Sequence, residues 1–196
     1  MTLLSAYDIL RLRGSVQLTH LMIRSFVGEG DIAVDATCGN GHDTLALAGR
    51  IGSTGHVWGF DIQDLAIAET GRRLSEAGFT ERVTLLQAGH EEMELHVKDP
   101  VKAVLFNLGY LPGSDRSIIT RPETTGAALA QSLKLLAPGG IVIITVYPGH
   151  VGGGEEKLLV DEWSAGLDQR EYHSWRMGQV NVSSDAPYCI FVQKAS

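Results

Sequence analysis

Residues 35–48 read DATCGNGHDTLALA, and their interpretation decides the fold. The run before them, DIAVDA at 31–36, is short and apolar and predicts a buried strand. The residues after them, 42–50, carry helical spacing, with Gly39 and Gly41 between the two patterns. A strand, a glycine turn and a helix in that order open a parallel α/β unit. Glycine lets the backbone turn tightly and approach a ligand with no Cβ in the way. The helix that follows starts with unpaired N–H groups aimed at the same place.

Working outward, the pattern repeats. Residues 5–27 place Ile9, Leu10, Val16, Leu18, Leu21, Met22 and Phe26 at roughly helical intervals, with a break near Gly14. They predict one or two N-terminal helices ending at GEGD. GHVWGFDI gives a second strand, and QDLAIAETGRRLSEAG a helix with its stop at Gly78. RVTLLQA is a third strand, followed by a short helix at 90–97, and VKAVLFNLGY a fourth that runs into an irregular segment over 108–121. A helix over 123–136 is stopped by APGG before the fifth strand, IVIITVY. After GHVGGGEE comes a helix over 154–166, then two strands, EYHSWRMGQV and APYCIFVQK, joined by a turn. The strands are too continuously apolar for a one-sided sheet, so both faces are covered. The short last connection brings in one antiparallel strand. Trp58, Leu65, Leu74, Leu133 and Leu136 fall at core spacing. The architecture is α/β, a doubly wound, mostly parallel sheet behind an N-terminal helical segment.

The whole chain sets the outer bounds. Its 196 residues predict a single domain over 1–196, with the helical segment at 1–28 and the core at 30–194. No apolar run approaches the roughly 20 residues needed to span a bilayer, and no secretory signal is evident, so no membrane partner is expected. Two cysteines, Cys38 and Cys189, make neither a C-x-x-C metal pair nor a disulfide framework, and a cytoplasmic home is the simplest expectation. Cys38 adjoins the glycine turn without an evident base and reads as structural. A net charge of −7 argues against bulk electrostatic coating of nucleic acid while leaving room for a local basic patch.

Three nucleotide ligands compete for the turn. The string G-x-x-x-x-G-K-[ST] of a P-loop is absent. A dinucleotide turn, G-x-G-x-x-G, fits at Gly39 and Gly41, but Thr44 holds the third position and Asp43 would meet the pyrophosphate. S-adenosyl-L-methionine carries a sulfonium and an ammonium, which Asp35 suits directly or through water. Asp61 closes the second strand, where an acid accepts both ribose hydroxyls; NAD would satisfy that position equally. Gly89 and His90 close the third strand, where adenine would lie.

Together these segments resemble the class I S-adenosylmethionine-dependent methyltransferases, over about residues 30–194. Thr37 replaces the first glycine of that group's usual loop. DATCGNGHDT, DIQ, AGHE, FNLGYLPGSD and VYPGHVGGGEE resemble, more narrowly, a bacterial family labelled "putative rRNA methylase". Its members include methyltransferases of the aminomethyl group of 5-aminomethyl-2-thiouridine at the tRNA wobble position. The resemblance implies a seven-stranded Rossmann-like sheet, the methyl donor as cofactor, and the anticodon region of tRNA as partner. It implies that Asn40, Gly41 and His42 wrap the methionine part of the donor, with the turn and helix start as their plain structural alternative. Asp61 would hold the ribose, Gln63 its edge or the adenine, and Gly89 and His90 the adenine.

Asn107, at the end of strand four, matches the Asn or Asp that amino methyltransferases place beside the target nitrogen. NLGY departs from their usual (N/D)PP(Y/F), which leaves the role of Tyr110 open. His150 is a candidate base or a glycine-loop residue facing water. Arg116 and Arg121 could take phosphates, with Arg11, Arg13 and Arg24 extending the track, and Tyr110 or Tyr147 could stack on an extruded base. PETT at 122–125 caps a helix or lines the pocket; in GGGEE the glycines allow close approach and Glu155 and Glu156 suit a helix's first turn. No metal ligands are expected. Apolar residues on the N-terminal helices would suit a homodimer. Methylation of ribosomal RNA or of a small amine is the rival within the fold; an NAD-dependent oxidoreductase or a non-catalytic nucleotide-binding module is the rival from another class.

Overall fold

The computed structural model describes residues 14–109, 119–149 and 152–196. Tyr110, Arg116, His150, Arg11 and Arg13 lie outside them. The chain runs α1 (Ser15–Phe26), β1 (Ile32–Asp35), α2 (His42–Arg50), β2 (His56–Asp61), α3 (Asp64–Ala77), β3 (Val83–Gln87), α4 (Met93–His96), β4 (Val101–Leu108), α5 (Pro122–Leu135), β5 (Leu136–Val146), α6 (Gly153–Ala165), β6 (Tyr172–Gly178) and β7 (Tyr188–Lys194). The seven strands form one sheet in the order β3-β2-β1-β4-β5-β7-β6. Strands β1 to β5 pair in parallel, and β7 is antiparallel to both β5 and β6.

Side chains alternate across the pleat, which gives each face its own core. On one face Val34, Phe60, Phe106, Ile144 and Ile190 pack with Met93, Leu129 and Val160 from α4, α5 and α6. On the other, Ala33, Val57, Leu105, Ile143 and Phe191 pack with Ile23, Leu47 and Leu74 from α1, α2 and α3. In α3 the inward positions are Ala66, Thr70 and Leu74, spaced four apart. That helix ends at Gly78 in the left-handed region, and the Phe79 N–H returns to the Leu74 carbonyl at 2.8 Å.

Two expectations need correction. APGG does not lie between α5 and its strand as a separate turn. β5 already pairs at Leu136, and two steps along β4, from Val101 to Ala103, correspond to five along β5, from Leu136 to Ile141. Residues 137–140 bulge out of the ladder there, as a Pro-Gly pair favours. Leu65 is not core: it is 67% exposed, because helical spacing rotates it away from the Ala66, Thr70 and Leu74 face. Exposed apolar surface gathers on β6 and the turn after it, at Trp175, Met177, Val180 and Val182, more than on the described N-terminal helix. That helix faces the sheet with small hydroxyl residues, Ser15 and Thr19, the latter 3.2 Å from the Thr145 hydroxyl. No helix among the described residues is long and apolar enough to cross a membrane.

Candidate cofactor and acceptor site

The strand order reverses between β1 and β4, the place where an open α/β sheet leaves a crevice outside its strand ends. A cleft of about 940 Å³ opens there, near the upper end of the roughly 300–1,000 Å³ usual for ligand pockets. The glycine loop forms its floor. The loop is tied to both neighbouring strands: the Cys38 N–H donates to the Phe60 carbonyl at 2.9 Å, and the Asn107 N–H donates to the Thr37 hydroxyl at 2.7 Å. Thr37, the residue that departs from the usual glycine, thus fixes the backbone at the end of β4.

Asp61 closes β2 and clamps two segments at once. Its carboxylate accepts the Gly39 N–H at 2.9 Å on one oxygen and the Gln63 N–H at 3.0 Å on the other. A carboxylate has about four lone-pair sites, so capacity remains for a vicinal diol. Asn40, His42, Gln63, Gly89 and His90 line the same cleft.

His90 is buried, with its ring edge-on to Phe106 at 5.8 Å. Burial holds its pKa below the usual histidine value. Its Nε2 has no hydrogen-bond partner among the described residues. A buried ring nitrogen left without a partner fits a polar group of a ligand, such as the adenine edge.

Two expected loop residues face elsewhere. Asp35 is fully buried and is absent from the cleft wall. It accepts the Thr44 hydroxyl at 2.6 Å and the Thr37 N–H at 3.3 Å, and so holds the loop's shape. Burial first, and Asp43 second, push its pKa up to about 7. Gly41 has φ +77, and a Cβ there would stand 2.8 Å from the Thr70 hydroxyl and 3.0 Å from the Thr70 Cα. Its close approach is to α3 rather than to the cleft. Cys38 is a buried thiol whose pKa burial raises, in keeping with a structural role.

The far half of the cleft is built by Asn107, Thr120, Arg121, Thr124 and Tyr147. The Asn107 side chain donates through Nδ2 to Asp43 at 2.7 Å, and the other Asp43 oxygen meets His20 Nε2 of α1 at 2.8 Å. Behind Thr120 sits Glu156, 2% exposed. It accepts the Thr120 hydroxyl at 2.7 Å and the Thr125 hydroxyl at 2.6 Å, while Thr120 Oγ1 accepts the Gly109 N–H at 2.9 Å. Thr124 is thus the wall residue of PETT, and Thr125 the buried one. Asp43, His20 and Glu156 went unread as a set because their partners stand 23 to 64 positions away. The only local signals were the first-turn positions of Asp43 in α2 and Glu156 in α6; His20, within α1, carried none.

The comparisons agree with the fold. The pattern of the family described as "Putative rRNA methylase" matches residues 57–193. A chloroplastic tRNA (mnm(5)s(2)U34)-methyltransferase of Arabidopsis thaliana is 37% identical over 190 residues, 92% of this chain and 69% of that protein. A solved structure from Clostridium thermocellum, described in the same words as the family, is 46% identical with a TM-score of 0.91, covering 94% of this chain and all of that one, 100%. A Streptococcus mutans methyltransferase, solved in complex with SAH, is 32% identical with a TM-score of 0.85 over 94% of this chain and 99% of that one. By its matched residues and by these relatives, the chain belongs to the "Putative rRNA methylase" family.

Proposed function

We propose that this protein is an S-adenosylmethionine-dependent N-methyltransferase that converts 5-aminomethyl-2-thiouridine to 5-methylaminomethyl-2-thiouridine at the wobble position of tRNA. One observation carries the reading: a single cleft joins a carboxylate, Asp61, to an amide, Asn107, at the ends of β2 and β4, the two strands that flank β1. The donor supplies a methyl group already activated on a sulfonium. Asp61 would hold its ribose and His90 Nε2 the adenine edge. The loop at Gly39 and Asn40 would take the amino-acid end. The name of the Arabidopsis relative supports the acceptor, and the SAH held by the Streptococcus protein supports the donor.

The protein's own task is alignment. An alkyl ammonium has no lone pair, so the acceptor loses one proton to solvent before it reacts. Its nitrogen then forms the new bond to the methyl carbon as the carbon–sulfur bond breaks, and a second proton leaves the product amine. Asn107 Oδ1 accepts an N–H of the acceptor and turns its lone pair toward the methyl group. Holding nitrogen, carbon and sulfur in line is worth up to about 7–11 kcal/mol. No side-chain nucleophile is required. Tyr147 offers a face for the base and Arg121, exposed at the mouth, a cation for a phosphate. The reading carries with it a cytoplasmic location and contact with the anticodon region.

The family's label names ribosomal RNA, so the test sets the two RNAs side by side. Undermodified tRNA and ribosomal RNA, each given isotopically labelled methyl donor, should divide cleanly, with label entering tRNA. Label entering ribosomal RNA alone would overturn the tRNA assignment.

A further inference from the structure

We infer that Asp43 is a positioning residue for methyl transfer: it fixes which end of the Asn107 amide faces the acceptor, an inference that rests on the function proposed above. Asparagine carries a donor and an acceptor of nearly equal size on one freely turning group. Which of them meets the acceptor amine decides whether Asn107 helps or hinders. A carboxylate only accepts, so an amide that faces it must present its NH2. Asp43 Oδ2 takes that NH2 at 2.7 Å, at the first turn of α2. The one acceptor atom of the amide, Oδ1, has no partner among the described residues and belongs to a side chain lining the cleft.

The carboxylate is itself held. His20 Nε2 on α1 meets its second oxygen at 2.8 Å, and the Asp43 side chain is only 11% exposed. The Asn107 backbone is fixed separately by Thr37. Backbone and side chain at the end of β4 are therefore set by two independent contacts from the glycine loop and α2. Without Asp43 the amide can turn over and offer N–H groups to an amine that needs an acceptor. The N-terminal helix enters the reaction in this way, through His20 and Asp43, although it supplies no strand-end residue.

The test combines kinetics with the amide's own signal. In single-turnover methylation of tRNA bearing 5-aminomethyl-2-thiouridine, Asp43→Ala should lower the rate at least tenfold while donor affinity stays within twofold. In an Asn107→Ala background the same change should cost less than twofold, since residues that act through one contact are not additive. The reversed pair, Asp43→Asn with Asn107→Asp, keeps an amide-to-carboxylate bond and an oxygen toward the acceptor. It should outpace Asn107→Asp alone at least fivefold. By NMR, the Asn107 side-chain NH2 signal, identified by its loss in Asn107→Ala, should be displaced and slow to exchange, and Asp43→Ala should abolish both properties. An undiminished Asp43→Ala rate, or an equal loss in both backgrounds, would overturn the inference. If the wild-type protein leaves this tRNA untouched, the functional reading falls by itself; the amide signal then decides, and one indifferent to Asp43→Ala overturns the positioning role.

Discussion

Asp35 is the residue whose chemistry departs furthest from expectation. It closes β1 at the head of the glycine loop, and the sequence offered it as a partner for a cationic ligand. The pleat turns its side chain inward instead, toward the Thr44 hydroxyl and the Thr37 N–H. Sequence position placed it at the loop; only the strand's orientation could say which way it faced. Its pKa, raised from 3.8 to about 7 by burial and by Asp43, has a definite consequence for stability. Between those values the folded protein binds a proton that the unfolded chain has released. Its contribution therefore weakens as pH rises from about 4 to about 7, by about 4 kcal/mol in full. Thermal unfolding across that range should show the loss in the wild type, and the difference between wild type and Asp35→Asn should grow in the variant's favour as pH rises. A difference independent of pH would contradict the assignment. Asp61 was legible for the opposite reason: a strand-end acid about twenty residues past a glycine turn has few other places to be.

At the scale of elements, local patterns were read closely and contacts between elements were not. α2 spans the residues its spacing predicts, and Gly78 ends α3 in the left-handed region. Glu156 could be placed in the first turn of α6 but not turned inward, because its partners Thr120 and Thr125 lie 36 and 31 residues earlier. That carboxylate joins α6 to the start of α5 and, through Thr120, to the end of β4. Glu156→Ala would leave two inward hydroxyls without an acceptor, at a cost of about 2–3 kcal/mol, or roughly 4–12 °C in Tm for a chain this size. Glu156→Gln keeps one acceptor oxygen and should lose less than half as much. Calorimetry of the two variants checks this; equal losses would show that the one acceptor oxygen and the volume that Gln retains contribute nothing, and that the carboxylate itself is what Glu156 supplies. Leu65 marks the limit of periodicity: an apolar residue one position off the buried face of α3 reads like core until the helix is seen docked.

For the whole molecule, the topology was legible because alternation of strand and helix leaves few arrangements open. The reversal of strand order between β1 and β4 then brings Asp61, His90, Asn107 and Tyr147 to one cleft from four different strand ends. The acceptor side was less legible, since it is assembled from α1, α2, β4, α5 and α6 by long-range polar contacts. Together these strand ends form the cleft proposed to transfer a methyl group to the wobble aminomethyl nitrogen. The measurement that tests that transfer most directly is mass analysis of nucleosides from tRNA carrying 5-aminomethyl-2-thiouridine, after incubation with protein and S-adenosylmethionine. A gain of one methyl group on that nucleoside is expected, reduced at least tenfold by Asp61→Ala through weakened donor binding. An unchanged nucleoside, in the presence of protein that demonstrably binds the donor, would contradict the proposed transfer.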